Sequence, residues 1–199
     1  MAYIFKDTQR EKLPFLPAKV KIDSFSDGLI DYFNPETDFE TCHWLLNYEI
    51  ETGKSYPFTD QFSEQEFKQY FLSGDTFVLK NGQQGSILGT FYVKPNFPGP
   101  CSHICNGGFI VHPSHRRKKI GLTLGTLFPY IASSLGYEAS MFNLVFKDNP
   151  ASVELWRRLG FQELGTIPRA KKAKDGQYHD AIQFYLDFAQ HGEKPSIMH

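Results

Sequence analysis

The chain has 199 residues, 41% hydrophobic and 16% aromatic, enough for one substantial core and too apolar for a disordered protein. A formal net charge of −1 lacks the basic excess of a general nucleic-acid binder, so no nucleic-acid partner is expected. No apolar run approaches the ~18 residues of a membrane span, the start MAYIFKDTQREK has no signal-length apolar core, and three cysteines without framework spacing fit a reducing compartment. No membrane partner is expected, and the expected location is cytoplasmic, with nuclear or mitochondrial presence left open.

In chain order, residues 1–15 read as an extended N-terminal arm, and Ala18 to Phe25 alternates like a half-buried strand. Asn34-Pro35-Glu36-Thr37 is a turn before a helix from about Asp38 to Glu51. Gly53 to Asp60 is a loop, and Ser63 with Glu66 forms a capping box for a short helix ending near Tyr70 or Phe71. Strands Thr76 to Lys80 and Ser86 to Lys94 flank an Asn81-Gly82 turn. A Pro-rich loop, Pro95 to Pro100, leads into a strand near Asn106 to Val111, followed by a helix of about Lys119 to Leu135. Met141 to Phe146 is a short buried strand, and Asn149 to Leu159 is a helix closed by Gly160. Strands Phe161 to Ile167 and Ala181 to Asp187 end the fold around a polar loop, RAKKAKDGQYHD. Residues 189–199 read as a flexible tail. The order is mixed α/β in a single domain spanning 1–199, with parallel pairing required around residues 107–146.

The stretch GGFIVHPSHRRKKIGLTLG, Gly107 to Gly125, runs a strand through a turn and four consecutive basic residues into a helix. Free amides at a helix start, ringed by positive charge, make a phosphate cradle. With a near-neutral chain around it, the HRRKK run suits one small anion.

This order and two motifs resemble the GNAT superfamily of N-acetyltransferases over nearly the whole chain. Arg116-Arg117-Lys118-Lys119-Ile120-Gly121 is similar to the family's Arg/Gln-x-x-Gly-x-Gly/Ala turn, with Lys119 where the first glycine is expected. Asn149-Pro-Ala-Ser152 through Leu155-Trp156 to Gly160-Phe161 resembles the segment beside the pantetheine arm. The segments NYEIETGKSYP (47–57), LGTFYVKPN (88–96), CSHICNGGF (101–109) and FNLVFKDNPAS (142–152) are most similar to the fungal branch that acetylates L-azetidine-2-carboxylate and other proline analogues.

The resemblance implies a central twisted mixed sheet of about six or seven strands flanked by about four helices. It implies acetyl-CoA as cosubstrate and no metal. The cofactor would be held by Ile110, Val111, Arg116, Arg117, Lys118, Lys119, Ile120, Gly121, Leu122, Asn149, Ser152 and Trp156. A backbone amide of Ile110-Val111 would face the thioester oxygen, where negative charge develops, and Gly107 and Gly108 suit a bulge that frees such amides. Asn106, Asn143 and Asn149 map to the acceptor and thioester site, so these three carry the catalytic expectation. Asn106, Asn143, Phe109 and Tyr56 would contact the acceptor, a small amino or imino acid whose acetylation is a detoxification. Related enzymes often associate through sheet edges, so a homodimer is one expectation.

From the residues alone, Asn106 and Asn143 suit the satisfaction of backbone at strand ends better than a ligand site, and only the resemblance reverses this; Asn149 is a favoured helix cap. Trp156 stands where relatives carry a tyrosine, and its indole is too weak an acid to protonate a thiolate, so no general acid is assigned. Glu49, Glu51 and His103 are candidate bases, beside simple desolvation with water carrying the proton. Cys101, His103 and Cys105 alternate along an extended segment, ~6.5–7 Å apart in steps of two, too far for one tetrahedral zinc. Lys171, Lys172 and Lys174 read as a solvated loop or as help for a phosphate. Tyr48, Tyr56, Phe58 and Phe62 read as core packing or as an acceptor wall. Two other functions stay open: an N-acetyltransferase for a protein, peptide or other amine, and a non-catalytic acyl-CoA-binding module.

Overall fold

The computed structural model describes residues 11–23, 27–82 and 85–199. Its strands are β1 (Ala18–Lys21), β2 (Asp27–Tyr32), β3 (Asp75–Lys80), β4 (Ile87–Pro95), β5 (Ile104–Val111), β6 (Ala139–Phe146), β7 (Gln162–Lys172) and β8 (Tyr178–Asp187). The α-helices are α1 (Phe39–Thr52), α2 (Glu64–Tyr70), α3 (Ile120–Ser134) and α4 (Pro150–Arg158). One eight-stranded sheet runs β1-β2-β3-β4-β5-β6-β8-β7, and only β5 and β6 pair in parallel.

Eight strands exceed the expected six or seven because the segment from Ala18 is the first arm of a two-stranded start. β1 stops at Lys21 and β2 returns antiparallel, with Ala18 opposite Ile30; residues 24 and 25 of the expected strand lie outside the described residues. Gly28 and two aspartates depress the β signal of DGLIDY. The glycine sits in a tight place, where a Cβ would lie 2.8 Å from Leu79 Cδ1 and 3.1 Å from Lys80 O. Ten residues of the expected N-terminal arm also fall outside the described residues, whereas Leu13 is buried in the core.

The sheet separates two apolar clusters. On one face Phe128 of α3 and Trp156 of α4 pack with the strand residues Phe91, Val93, Phe142 and Phe184. On the other, Leu45, Leu46 and Ile50 of α1 and Phe67 of α2 pack with the strand residues Val78, Tyr92 and Ile110. Alternation along β5 assigns its side chains, with Phe109 and Val111 to the α3 face and Ile110 to the α1 face.

Helix ends follow local chemistry. Asp38, buried before α1, accepts from Asn34 N–H at 2.9 Å and pairs with Lys80 at 2.6 Å. Gly53, at φ 65°, ends α1. The capping box of Ser63 and Glu66 forms as the sequence predicts.

Three expectations are corrected. β4 and β5 pair without a register shift from Gly89–Val111 to Pro95–Cys105, so Gly107 and Gly108 make no bulge. They are there for close packing: a Cβ on Gly107 would lie 2.7 Å from Phe128 Cε2, and one on Gly108 2.4 Å from Tyr92 Cε1. The expected polar loop after Ile167 is mostly strand, β7 reaching Lys172 and β8 beginning at Tyr178. Residues 189–199 are not a loose tail either, because Met198 is buried and bridges Val20.

Candidate active site

β5 and β6 are joined only at Ile104–Ala139 and Cys105–Ser140. Beyond those pairs the strands part, and the edge of β5 from Asn106 onward faces a gap. His112 N–H donates to Leu88 O at 3.0 Å, and Ile104 O accepts from Asn96 N–H at 2.8 Å. In an antiparallel pair the backbone groups alternate sides, so even-numbered residues of β5 point to β4 and odd-numbered ones to the gap. Of the two residues expected to face a thioester, Val111 therefore presents its amide to the gap, while Ile110 is turned toward β4.

Asn106 and Asn143 meet at the base of the gap through a third residue that the sequence reading missed. Asn96 Nδ2 donates to Asn143 Oδ1 at 3.0 Å, and Asn143 Nδ2 donates back to Asn96 Oδ1 at 2.6 Å. Asn106 Nδ2 donates to the same Asn96 oxygen at 3.0 Å. Asn96 is buried, and among the described residues Asn106 Oδ1 has no partner. Asn106 and Asn143 each keep one amide hydrogen for a ligand.

At the other end of β5, Pro113–His115 forms a short 3-10 turn, and Arg116 to Lys119 are exposed. Arg117 and Lys119 take φ 62° and 61°, the left-handed region. Lys119 thus adopts the conformation for which a glycine was expected. The helical ladder of α3 begins with Thr123 N–H donating to Lys119 O at 2.9 Å. The amides of Ile120, Gly121 and Leu122 precede the ladder and are available to an anion.

Asn149 caps α4, its Oδ1 accepting from Ser152 N–H at 3.3 Å. Its Nδ2 donates to Ser55 Oγ at 3.3 Å, and Ser55 donates on to Glu49 Oε2 at 3.0 Å. Glu49 Oε1 in turn holds the Arg116 guanidinium. One chain of contacts thus ties α1, the loop after it, the basic turn and the start of α4. Neither Ser55 nor this pairing was foreseen. Among the candidate bases, Glu49 alone sits here. The Glu51 side chain is exposed, and exposed His103 is within 3.1 Å of Pro100 O.

Tyr56 lies in the α1-side cluster, and its hydroxyl has no partner among the described residues. Burial first, then Tyr70 and Glu49, push that hydroxyl well above the usual tyrosine range. The Tyr70 and Tyr92 hydroxyls are 3.0 Å apart. Phe58 and Phe62 pack edge-on against Tyr70, and Tyr48 lies under the Arg116 guanidinium.

Phe109 and Trp156 take core positions. Their ring centroids are 4.8 Å apart, both stack around Phe142, and the Trp156 indole donates to Ser152 Oγ at 3.0 Å. The Phe109 side chain is on the opposite face from Ile110, so it does not share the Tyr56 side of the sheet. Lys171 is not solvated: it bonds Asp148 Oδ2 at 2.6 Å and Gly53 O at 2.8 Å, while Lys174 bonds Glu51 O at 3.0 Å. The β7–β8 hairpin therefore bridges from the β6 side of the gap to the end of α1. Cys101 is exposed and Cys105 buried, so the alternating Cys-His-Cys segment gathers no common site.

A sheet parted beside a basic helix start agrees with the α/β arrangement that the family resemblance implies. The family model described as acetyltransferase (GNAT) family matches residues 39–161. That span is more than half the chain, and the protein belongs to this family and is an acyltransferase. It is 38% identical to N-acetyltransferase aca1 of Schizosaccharomyces pombe, the match covering 78% of this chain and 82% of that protein. A GCN5-related N-acetyltransferase from Kribbella flavida superposes with a TM-score of 0.74 at 24% identity, over 80% of this chain and 97% of the other. A phosphinothricin acetyltransferase from Sinorhizobium meliloti, in complex with acetyl-CoA, gives 0.74 at 17% identity, over 85% and 93%. At such identities the structural likeness is one of fold.

Proposed function

We infer that the protein transfers the acetyl group of acetyl-CoA to the nitrogen of a small amino or imino acid, of which cyclic proline analogues such as azetidine-2-carboxylate are the type. The observation that carries this reading is the Asn96–Asn106–Asn143 array at the base of the gap. Neutral amide donors suit a carboxylate without adding a negative charge that would favour the protonated form of the acceptor nitrogen. The β7–β8 hairpin, bonded across to α1 through Lys171 and Lys174, favours a small acceptor over a long chain.

The residues fit the cosubstrate. The amides before α3 and the charges of Arg116 to Lys119 would hold its phosphates. The gap edge of β5 would take the pantetheine arm, with Val111 N–H toward the thioester oxygen. Asn149 and Ser152 line the other wall at the start of α4, and Trp156 supports them from the core. Acetyl-CoA supplies the activated acyl carbon; the protein orients it and excludes water. Acetylation removes the basic nitrogen through which a proline analogue enters protein synthesis, which is the basis for a detoxifying role.

The test is a panel of acceptors with acetyl-CoA: azetidine-2-carboxylate, cis-4-hydroxyproline, polyamines and short peptides. The cyclic acids should be turned over at least about tenfold better in kcat/KM, a difference of about 1.4 kcal/mol in transition-state binding. Good turnover of peptides or polyamines with none of any cyclic acid sinks the substrate assignment.

A further inference from the structure

Glu49 is 6% exposed, yet it is anchored at one oxygen by a residue that has another task. Oε2 accepts the Ser55 hydroxyl at 3.0 Å. Oε1 is paired with Arg116, whose side chain is 45% exposed and which begins the turn where the phosphates would lie. Among the described residues no other cation is within ion-pair distance of Glu49. A phosphate at the turn offers the guanidinium fork a bidentate partner of higher charge. Removing the guanidinium leaves a buried carboxylate uncompensated, which is costly until another cation arrives.

We propose that Glu49 and the cofactor phosphates compete for Arg116, so that cofactor binding draws the guanidinium away and frees a buried carboxylate oxygen. This rests on the acetyl-transfer reading above. The location supports it: Glu49 is one hydroxyl away from Asn149 at the start of α4, beside the basic turn that Arg116 begins. The released atom is Oε1, because Ser55 keeps Oε2.

Binding of CoA alone, measured by calorimetry at pH 7, tests the competition without any turnover. Glu49→Gln should bind CoA about tenfold tighter than wild type, within the usual range of site-to-site coupling. In an Arg116→Ala background the same change should alter CoA affinity by less than about twofold, since the guanidinium being competed for is gone. A Glu49→Gln protein that binds CoA no tighter overturns the exchange. So does an equal gain in both backgrounds, which would be bulk repulsion alone. Should the wild type acetylate no amine at all, the acetyl-transfer reading fails, while the CoA measurements still judge the exchange.

Discussion

At the scale of single residues, burial separates what each polar side chain can do. Lys94 lies between two tyrosine rings, its Nζ 4.0 Å from the centroid of Tyr70 and 4.4 Å from that of Tyr92, and donates to Tyr70 O at 3.0 Å. Burial lowers its ammonium from 10.5 to about 8. The folded value is below the unfolded one, so between about 8 and 10.5 the unfolded chain binds more protons and stability rises with pH. Below about 8 the desolvation cost is fully present. Lys94→Met removes that contribution. The stability difference between wild type and Lys94→Met, from urea unfolding, should move in favour of wild type by up to about 1.4 kcal/mol per pH unit across this window. A difference that stays flat from pH 8 to 10 refutes it. Sequence pattern does not show such a position, because Lys94 at the end of a strand reads as an exposed charge. Asn96 escaped for a related reason: it follows Pro95 in a Pro-rich segment, where an asparagine reads as a turn residue. The family resemblance singled out Asn106 and Asn143 as expectations, whereas the Asn96 amide that joins them is set by strand register.

At the scale of elements, the turn into α3 shows a backbone dictated by its surroundings rather than by its residues. Lys119 is held at φ 61° although only glycine takes that region freely. Lys119→Gly should therefore raise stability by about 1 kcal/mol, seen as a higher urea midpoint with an unchanged slope. The lost charge should weaken CoA binding by only a few-fold, because backbone amides remain. A lower midpoint would mean that the lysine side chain stabilises the turn more than the strain costs. Most helices were readable from capping and periodicity, the capping box of Ser63 and Glu66 being the clearest. The outer strands were not. The outer arm of β7 is exposed for most of its length, so it carries no apolar alternation, and RAKK read as loop. β2 was hidden by its glycine and aspartates, residues that a paired strand tolerates once neighbours fix it.

At the scale of the whole molecule, the C-terminal segment docks along β1. Lys21 N–H donates to Ile197 O at 2.7 Å and His199 N–H to Lys19 O at 2.9 Å, while buried Met198 packs into the same core as Leu13 and Val20. The C-terminus thus covers the β1 edge, a position that otherwise invites pairing with another chain. Met198→Ala should cost about 2–4 kcal/mol, the range for emptying a buried methionine site. Deletion of residues 196–199 should cost at least as much and promote self-association by exposing that edge. An unchanged urea midpoint for Met198→Ala, with the deletion still monodisperse by light scattering, would show that the edge needs no cover. Sequence could not reveal this, because a short polar segment with one methionine looks the same loose or docked.

The two residue pairs between β5 and β6 make the sheet two plates sharing a short seam. The rest of their separation is braced by side chains: Asn96 to Asn143, Ser55 to Asn149, and Lys171 to Gly53. Braces of this kind are cut and lengthened one substitution at a time without refolding a strand. The width of the slot is thus a property that substitutions at the outer ends of these braces, Asn96, Ser55 and Lys171, can adjust while the strands stay as they are.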